Sequence, residues 1–233
     1  MNSRIQAVVF DLDATIINLG EFVDWRSAQK KIIEEYITYG CDEETVNNYG
    51  SRGLFNLLSV MHEDISTKKG LNEACIIQSK VYSIIDKYEE DGIKCGFMPG
   101  VLNALNWLIH QNIKLGVCTS NSTDIAVKIL NNLGLKDFFH SIIGRTVGMK
   151  LKPNPDQLLM CFKKLEADPR RSVMVGDSHN DILAGKFAGT MTIAIPVYFT
   201  RLKEMNEAQP DLIIKSMSEL PNAIISLEKK LSM

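Results

Sequence analysis

The chain has 233 residues, 45% hydrophobic and 23% charged, with a formal net charge of −2; this is ordinary globular composition, long enough to bury a full core. The near-neutral balance, without a basic stripe, argues against nucleic acid as a partner. No apolar stretch reaches the length of a membrane span, which argues against a membrane as well.

In chain order, the apolar run Ala7-Val8-Val9-Phe10 predicts a strand over 5–10, and Asp11-Leu12-Asp13-Ala14-Thr15 follows it directly. Two carboxylates one residue apart then stand at the carboxyl edge of a strand, where open α/β sheets place their reactive groups. A continuing strand would aim them to opposite faces, so the chain must turn here. Residues 18–92 read as helices: Trp25, Ala28, Ile32 and Tyr36 keep one face, as do Ala74, Ile77, Val81, Ile84, Ile85 and Tyr88. This stretch holds 14 acidic against 8 basic residues, so it carries −6 and the remainder +4; such charge is usually a solvated face. It lies within a gap far longer than a crossover helix needs, and so predicts a helical insertion over the carboxyl edge of the sheet.

Beyond the insertion the pattern alternates. A helix follows Pro99-Gly100 with Leu102, Leu105, Leu108 and Ile109, and a strand spans 113–119, ending in Thr119-Ser120-Asn121. After Ser122, read as a helix N-cap, a helix carries Ile125, Ile129, Leu130 and Leu133 and stops at Gly134. A strand at 139–144 leads to Lys152-Pro153-x-Pro155 and a helix with Leu158, Leu159, Phe162 and Leu165. A strand at 172–177 ends in Gly176-Asp177-Ser178-x-x-Asp181, a short helix runs from Asp181 to Ala188 and stops at Gly189, and strands follow at 191–196 and, more weakly, near 212–214. Strands alternating with helices predict an α/β fold, a parallel sheet flanked by helices, with an inserted all-helical domain. The predicted division is a core of 1–17 and 93–233 and an insertion of 18–92.

Four segments thus fall at or just beyond the carboxyl ends of predicted strands. They suit phosphoryl transfer, which rests on positioning and charge neutralisation. A carboxylate attacking a phosphate dianion needs a divalent cation held by hard oxygens, which describes Mg²⁺. Thr119 and the amides after it, at a strand-to-helix turn, can grip phosphate oxygens, and Lys152 supplies positive charge.

Together these motifs, in order and spacing, resemble the haloacid dehalogenase superfamily over nearly the whole chain, as does Leu133-Gly134-Leu135-Lys136-Asp137-Phe138-Phe139. The insertion after the first motif resembles the helical cap of the phosphoglycolate phosphatase and β-phosphoglucomutase branch. The resemblance implies a Rossmann-like sheet and a Mg²⁺-dependent phosphatase acting on a small phosphorylated metabolite. Asp11 would be the nucleophile that becomes an aspartyl phosphate, and Asp13 the general acid and base. Thr119, Ser120 and Lys152 would hold the phosphoryl group. Asp177, the Asp11 carboxylate and the Asp13 backbone carbonyl would bind Mg²⁺, with Asp181 behind them steadying Lys152 or metal-bound water. Asp13 separates phosphate chemistry from true dehalogenation, in which halide leaves without a proton. The nearest alternative is a phosphosugar mutase of the same branch; another is a non-catalytic binding protein on the same fold.

Three departures from the family pattern stand out. Ala14 replaces a usual Gly, tolerable if the backbone avoids positive φ. Asn18-Leu19-Gly20 replaces a frequent Asp-Ser, and Gly144-Arg145 stands where an acidic residue is common; none of these is expected to touch a catalytic group. Structural alternatives accompany the motifs: Asp11 and Asp13 as a strand-end turn, Thr119 as a polar strand terminus, Lys152 as surface charge, Asp181 as an N-cap. Arg52, between Ser51 and Gly53, either reaches a second anionic group of the substrate or is an exposed turn residue; Asn121 is a further substrate-contact candidate. Trp25 and Trp107 read as packing. Cys41, Cys75, Cys95, Cys118 and Cys161 are odd in number and scattered, which predicts reduced thiols, no zinc site and a cytoplasmic setting. The N-terminus runs straight into a strand, so no signal peptide is expected, and monomer and homodimer remain equally open.

Overall fold

The computed structural model describes residues 4–197 and 202–231. One parallel sheet is built from β1 (Ala7–Phe10), β2 (Lys114–Ser122), β3 (Ser141–Arg145), β4 (Ser172–Gly176), β5 (Met191–Ala194) and β6 (Leu212–Ile213), in the order β3-β2-β1-β4-β5-β6. β1 lies between β2 and β4, with Phe10 opposite Val117 on one side and Val175 on the other. All four β1 residues are buried, as a central parallel strand covered on both faces requires. Their alternation divides the core. Val8 and Phe10 pack on the side of α5 (Val101–His110), α6 (Thr123–Asn132) and α10 (Leu220–Leu231), while Ala7 and Val9 meet Leu158, Cys161 and Phe162 of α7 (Asp156–Leu165). α8 (His179–Ala188) crosses from β4 to β5, and α9 (Leu202–Ala208) packs beside it through Met205 and Ala208.

The predicted fold class, a Rossmann-like sheet with flanking helices, is the one observed. Two helix faces are rotated from their predicted phase. In α5 the buried residues are Val101, Ala104, Leu105 and Leu108, leaving Leu102 and Ile109 exposed, and in α7 Leu159 is exposed. Both helices carry more apolar residues than the contact stripe uses. Gly134 and Gly189 end their helices in the left-handed region, at φ +67° and +74°.

Between β1 and β2 lie α1 (Trp25–Thr38), α2 (Glu43–Gly50), α3 (Leu54–Lys69) and α4 (Leu71–Glu90). They enclose a separate apolar cluster including Ala28, Ile32, Tyr36, Leu57, Met61, Ile77, Val81 and Ile85. Asp24 and Asp42 cap α1 and α2 by accepting the Ser27 and Thr45 backbone N–H groups. Leu19 and Val23, before α1, pack instead into the cluster under the sheet. Leu151, in the loop between β3 and α7, is buried in the four-helix cluster. The strand order reverses between β1 and β4, and such a switch point opens a crevice at the carboxyl edge of an α/β sheet. No helix among the described residues is long and apolar enough to cross a membrane.

Candidate active site

Asp11 and Asp177 leave the carboxyl ends of β1 and β4, one on each strand of the switch point. The Asp11 N–H donates to the Val175 carbonyl at 2.8 Å, which locks the register of the two acids. Beyond Asp11 the chain turns tightly, with Thr15, Ile16 and Ile17 N–H groups all donating to the Leu12 carbonyl. That turn puts Ala14 at φ +58°. The condition under which Ala14 would be tolerated without cost, a backbone clear of positive φ, is not met: the residue occupies the left-handed region, where its Cβ costs about 1–2 kcal/mol. Asp13 is half-buried, its Oδ1 accepting the Gly20 N–H at 2.9 Å.

Lys152 sits at the centre. Its ammonium donates to Asp11 Oδ1 at 2.5 Å, Asp181 Oδ1 at 2.5 Å and the Cys118 carbonyl at 2.9 Å, which uses its whole donor capacity. Burial alone would depress the lysine, but the two carboxylates outweigh it and hold Lys152 above its ordinary range. Asp11 is pushed up, first by burial and then by Asp181 and Asp177, with Lys152 opposing. Asp181 is the third residue of α8, not its N-cap. Ser178 caps the helix, and Asp181 Oδ2 accepts the Ser178 N–H at 3.0 Å and hydroxyl at 2.5 Å, a reciprocal capping box. Each Asp181 oxygen is thus engaged, one on the lysine and one on the cap. Gly176 makes this possible, since a Cβ there would lie 2.3 Å from Asp181 Cβ.

Carboxylate oxygens of Asp11, Asp177 and Asp181 lie within 4.8 Å of one another. Three buried acids around one ammonium leave two negative charges over, and hard oxygen donors with that surplus fit a divalent cation. The Asp13 carboxylate is not in this group.

The Thr119–Asn121 segment forms the next wall. Thr119 Oγ1 accepts the Asn121 N–H at 3.1 Å and donates to Asn121 Oδ1 at 2.9 Å. Behind it lies a network with no counterpart in the sequence reading. Glu89, at the end of α4 and 0% exposed, accepts from Asn121 Nδ2 at 3.0 Å, the Ser122 N–H at 3.1 Å and the Arg145 guanidinium at 2.9 and 3.2 Å. Arg145 also donates to Asp86 at 2.5 Å and the Ser120 carbonyl at 2.8 Å, and stacks over Tyr82. The expectation that none of the three departures touches a catalytic group is corrected at Gly20, whose N–H donates to Asp13; Arg145 touches only the backbone of the phosphate-binding candidate Ser120. Gln157, fully buried on α7, donates to the Thr119 and Gly144 carbonyls. Ser122 stands at the start of α6, but its side chain makes no cap bond; its N–H is held by Glu89 instead.

A cleft of about 410 Å³ gathers Asp11, Asp13, Thr119, Ser120, Asn121, Lys152, Asp177 and Asp181. Trp25 and Phe55, from α1 and α3, also line it, as an edge-to-face pair with ring centroids 5.7 Å apart. Trp25 therefore borders the site as well as packing. Arg52 is not brought to the cleft: it is exposed and lies over the Tyr49 ring at 5.5 Å. A signal for Glu89 was present, since it continues the four-residue spacing Ile77, Val81, Ile85 on the buried face of α4. All five cysteines are free, and burial pushes the Cys95 and Cys161 thiols up to about 11.

The chain is similar to known proteins over most of its length. The family model for haloacid dehalogenase-like hydrolases matches residues 8–195. Pyrophosphatase PpaX of Bacillus pumilus is 29% identical over 218 residues, covering 94% of this chain and 95% of its own. Phosphoglycolate phosphatase of Neisseria meningitidis is 28% identical over 222 residues, covering 93% and 92%. A haloacid dehalogenase-like family hydrolase from Streptococcus pneumoniae shares the fold with a TM-score of 0.62 at 20% identity, over 96% of this chain and 99% of that one. With the match spanning most of its length, the chain belongs to the haloacid dehalogenase-like hydrolases, in their phosphoglycolate phosphatase-like branch, and is a phosphoric monoester hydrolase.

Proposed function

We propose that this protein hydrolyses a small phosphorylated metabolite through an aspartyl phosphate on Asp11, with Mg²⁺ as its cofactor. The observation that carries the reading is the convergence of Asp11, Asp177 and Asp181 around Lys152 in one cleft at the sheet's switch point. Asp11 attacks phosphorus, and Asp13 gives its proton to the departing alkoxide oxygen. Asp13 then takes a proton from water, whose oxygen attacks the aspartyl phosphate and releases inorganic phosphate and free Asp11. Thr119 turns its hydroxyl from Asn121 to a phosphoryl oxygen, and the Ser120 N–H and Lys152 hold the others. Asp11, Asp177 and the Asp13 carbonyl are the cation's ligands in this scheme, and Asp181 holds Lys152 in place. The bound cation supplies the positive charge that lets a carboxylate approach a phosphate dianion.

Residues 18–92 serve in this reading as a cap over the core of 1–17 and 93–233. Their separate apolar cluster supports movement as a unit, and closure would exclude water while product release would need opening. Asp11→Asn is the direct test. Phosphate release from an artificial phosphomonoester should fall at least about a thousandfold with the thermal unfolding curve kept; retained turnover would refute the assignment.

A further inference from the structure

The ladder between β2 and β3 breaks where the phosphate-binding candidates lie. β2 advances from Cys118 to Ser122 while β3 advances only from Ile143 to Arg145, so Thr119-Ser120-Asn121 bulges out of register. A bulge releases backbone groups from the neighbouring strand, and other partners must then hold them. Here side chains do so. Gln157 donates to the Thr119 carbonyl at 3.2 Å, Arg145 donates to the Ser120 carbonyl at 2.8 Å, and Glu89 accepts the Ser122 N–H at 3.1 Å. Gly144 lets the segment lie this close, since a Cβ there would stand 2.4 Å from the Thr123 nitrogen and 2.6 Å from the Asn121 carbonyl oxygen. Gln157 and Arg145 belong to α7 and β3, whereas Glu89 comes from α4 of the insertion. Its two oxygens meet four donors. Oε1 accepts from Asn121 Nδ2 and one Arg145 nitrogen, and Oε2 from the Ser122 N–H and the other. The Asn121 amide is thereby fixed in one sense, with Nδ2 toward Glu89 and Oδ1 toward the Thr119 hydroxyl.

Resting on the phosphatase reading above, we infer that Glu89 is a positioning residue for phosphoryl transfer. From the insertion, through Asn121 and Arg145, it holds the Thr119 hydroxyl and the Ser120 backbone where the oxygens of the transferring group will stand. Glu89 does not line the cleft and is not among the acids that fit a cation. Its effect is therefore on geometry, and a displacement of about 1 Å in such a segment costs about a hundredfold in rate.

The test uses the full chain at saturating Mg²⁺. It measures turnover of p-nitrophenyl phosphate and binding of inorganic phosphate and of orthovanadate, which mimics the five-coordinate transition state. Glu89→Gln keeps the shape but turns an NH2 toward groups that are all donors. It should lower kcat about a hundredfold with KM within about threefold, and weaken orthovanadate about tenfold more than phosphate. Stabilisation by Mg²⁺ should match the parent's, because the acids of the cation cluster are unchanged. Should the Gln variant unfold, Glu89→Asp carries the test: it keeps the charge opposite Arg145 but is one methylene short, and should lower kcat about tenfold with the same split. Glu89→Gln and Asn121→Ala together should cost little more than the larger of the two alone, since one acts through the other. Parental kcat in the Glu89 variants, additive costs in the pair, or a fall in kcat matched by an equal loss of Mg²⁺ stabilisation would overturn the inference. Parental turnover in Glu89→Gln would do so while leaving the phosphatase reading intact. A parent without turnover sinks the phosphatase reading; the positioning role then stands if Glu89→Gln loses orthovanadate and falls if it does not.

Discussion

Two cation-centred clusters lie inside this molecule, and they are built on opposite principles. Around Arg145, Glu89 receives donors from the guanidinium, the Asn121 amide and the Ser122 backbone, while Tyr82 covers the arginine and Asp86 reaches partway to solvent. Fixed protein groups meet this charge, and neither Glu89 nor Arg145 borders the cleft. Around Lys152, Asp11 and Asp181 accept from the ammonium, Asp177 stands within 4.8 Å of both acids, and all four side chains border the cleft. The charge there is left unbalanced where ions can enter. A buried ion pair enclosed by protein groups marks scaffold, whereas a surplus of like charge at a sheet edge marks a place for something the chain does not itself supply.

Removing each cation in turn would sharpen the contrast. Arg145→Met strands a sealed Glu89 carboxylate and should cost about 3–5 kcal/mol in chemical denaturation. Lys152→Met leaves acids that water can reach and Asp11 free to take a proton; its cost should be less than half as large. A larger loss for the lysine variant would break the distinction between closed and open clusters. Divalent cation gives the next largest effect: at a hundredfold excess over Kd it should stabilise the parent by about 2.7 kcal/mol. Asp177→Asn should lose most of that gain while Arg145→Lys keeps it. Equal responses in the two variants would show that the cation does not bind at the open cluster. The smallest effect concerns the turn beside it. Ala14→Gly relieves the left-handed backbone and should add about 0.5–1 kcal/mol, read as a rise of roughly 2 °C in Tm. No gain would mean that the strain is absorbed elsewhere.

The sheet and the polar motifs were legible in sequence because each has a local signature. A run such as Val8-Val9-Phe10 ends abruptly in acids, and Gly176-Asp177 follows Val173-Met174-Val175 in the same way. Long-range partnership was not legible. Glu89 and Arg145 are separated by 56 residues, and although helical spacing turns Glu89 inward on α4, only packing shows which cation it meets. The same limit hid the cleft wall. Trp25 and Phe55 each fit an amphipathic helix, and nothing local says that their rings meet across two helices. Ala14 shows a third kind of limit, because its φ depends on how three successive N–H groups converge on the Leu12 carbonyl.

Leu151 and Lys152 are neighbours in sequence, yet one side chain is plugged into the four-helix bundle and the other into the acid cluster at the sheet edge. The bundle is consequently not an interchangeable module. Swapping it for that of a relative would also have to reproduce a socket shaped for this leucine, or the ammonium beside it would lose its anchor even with every motif residue left intact.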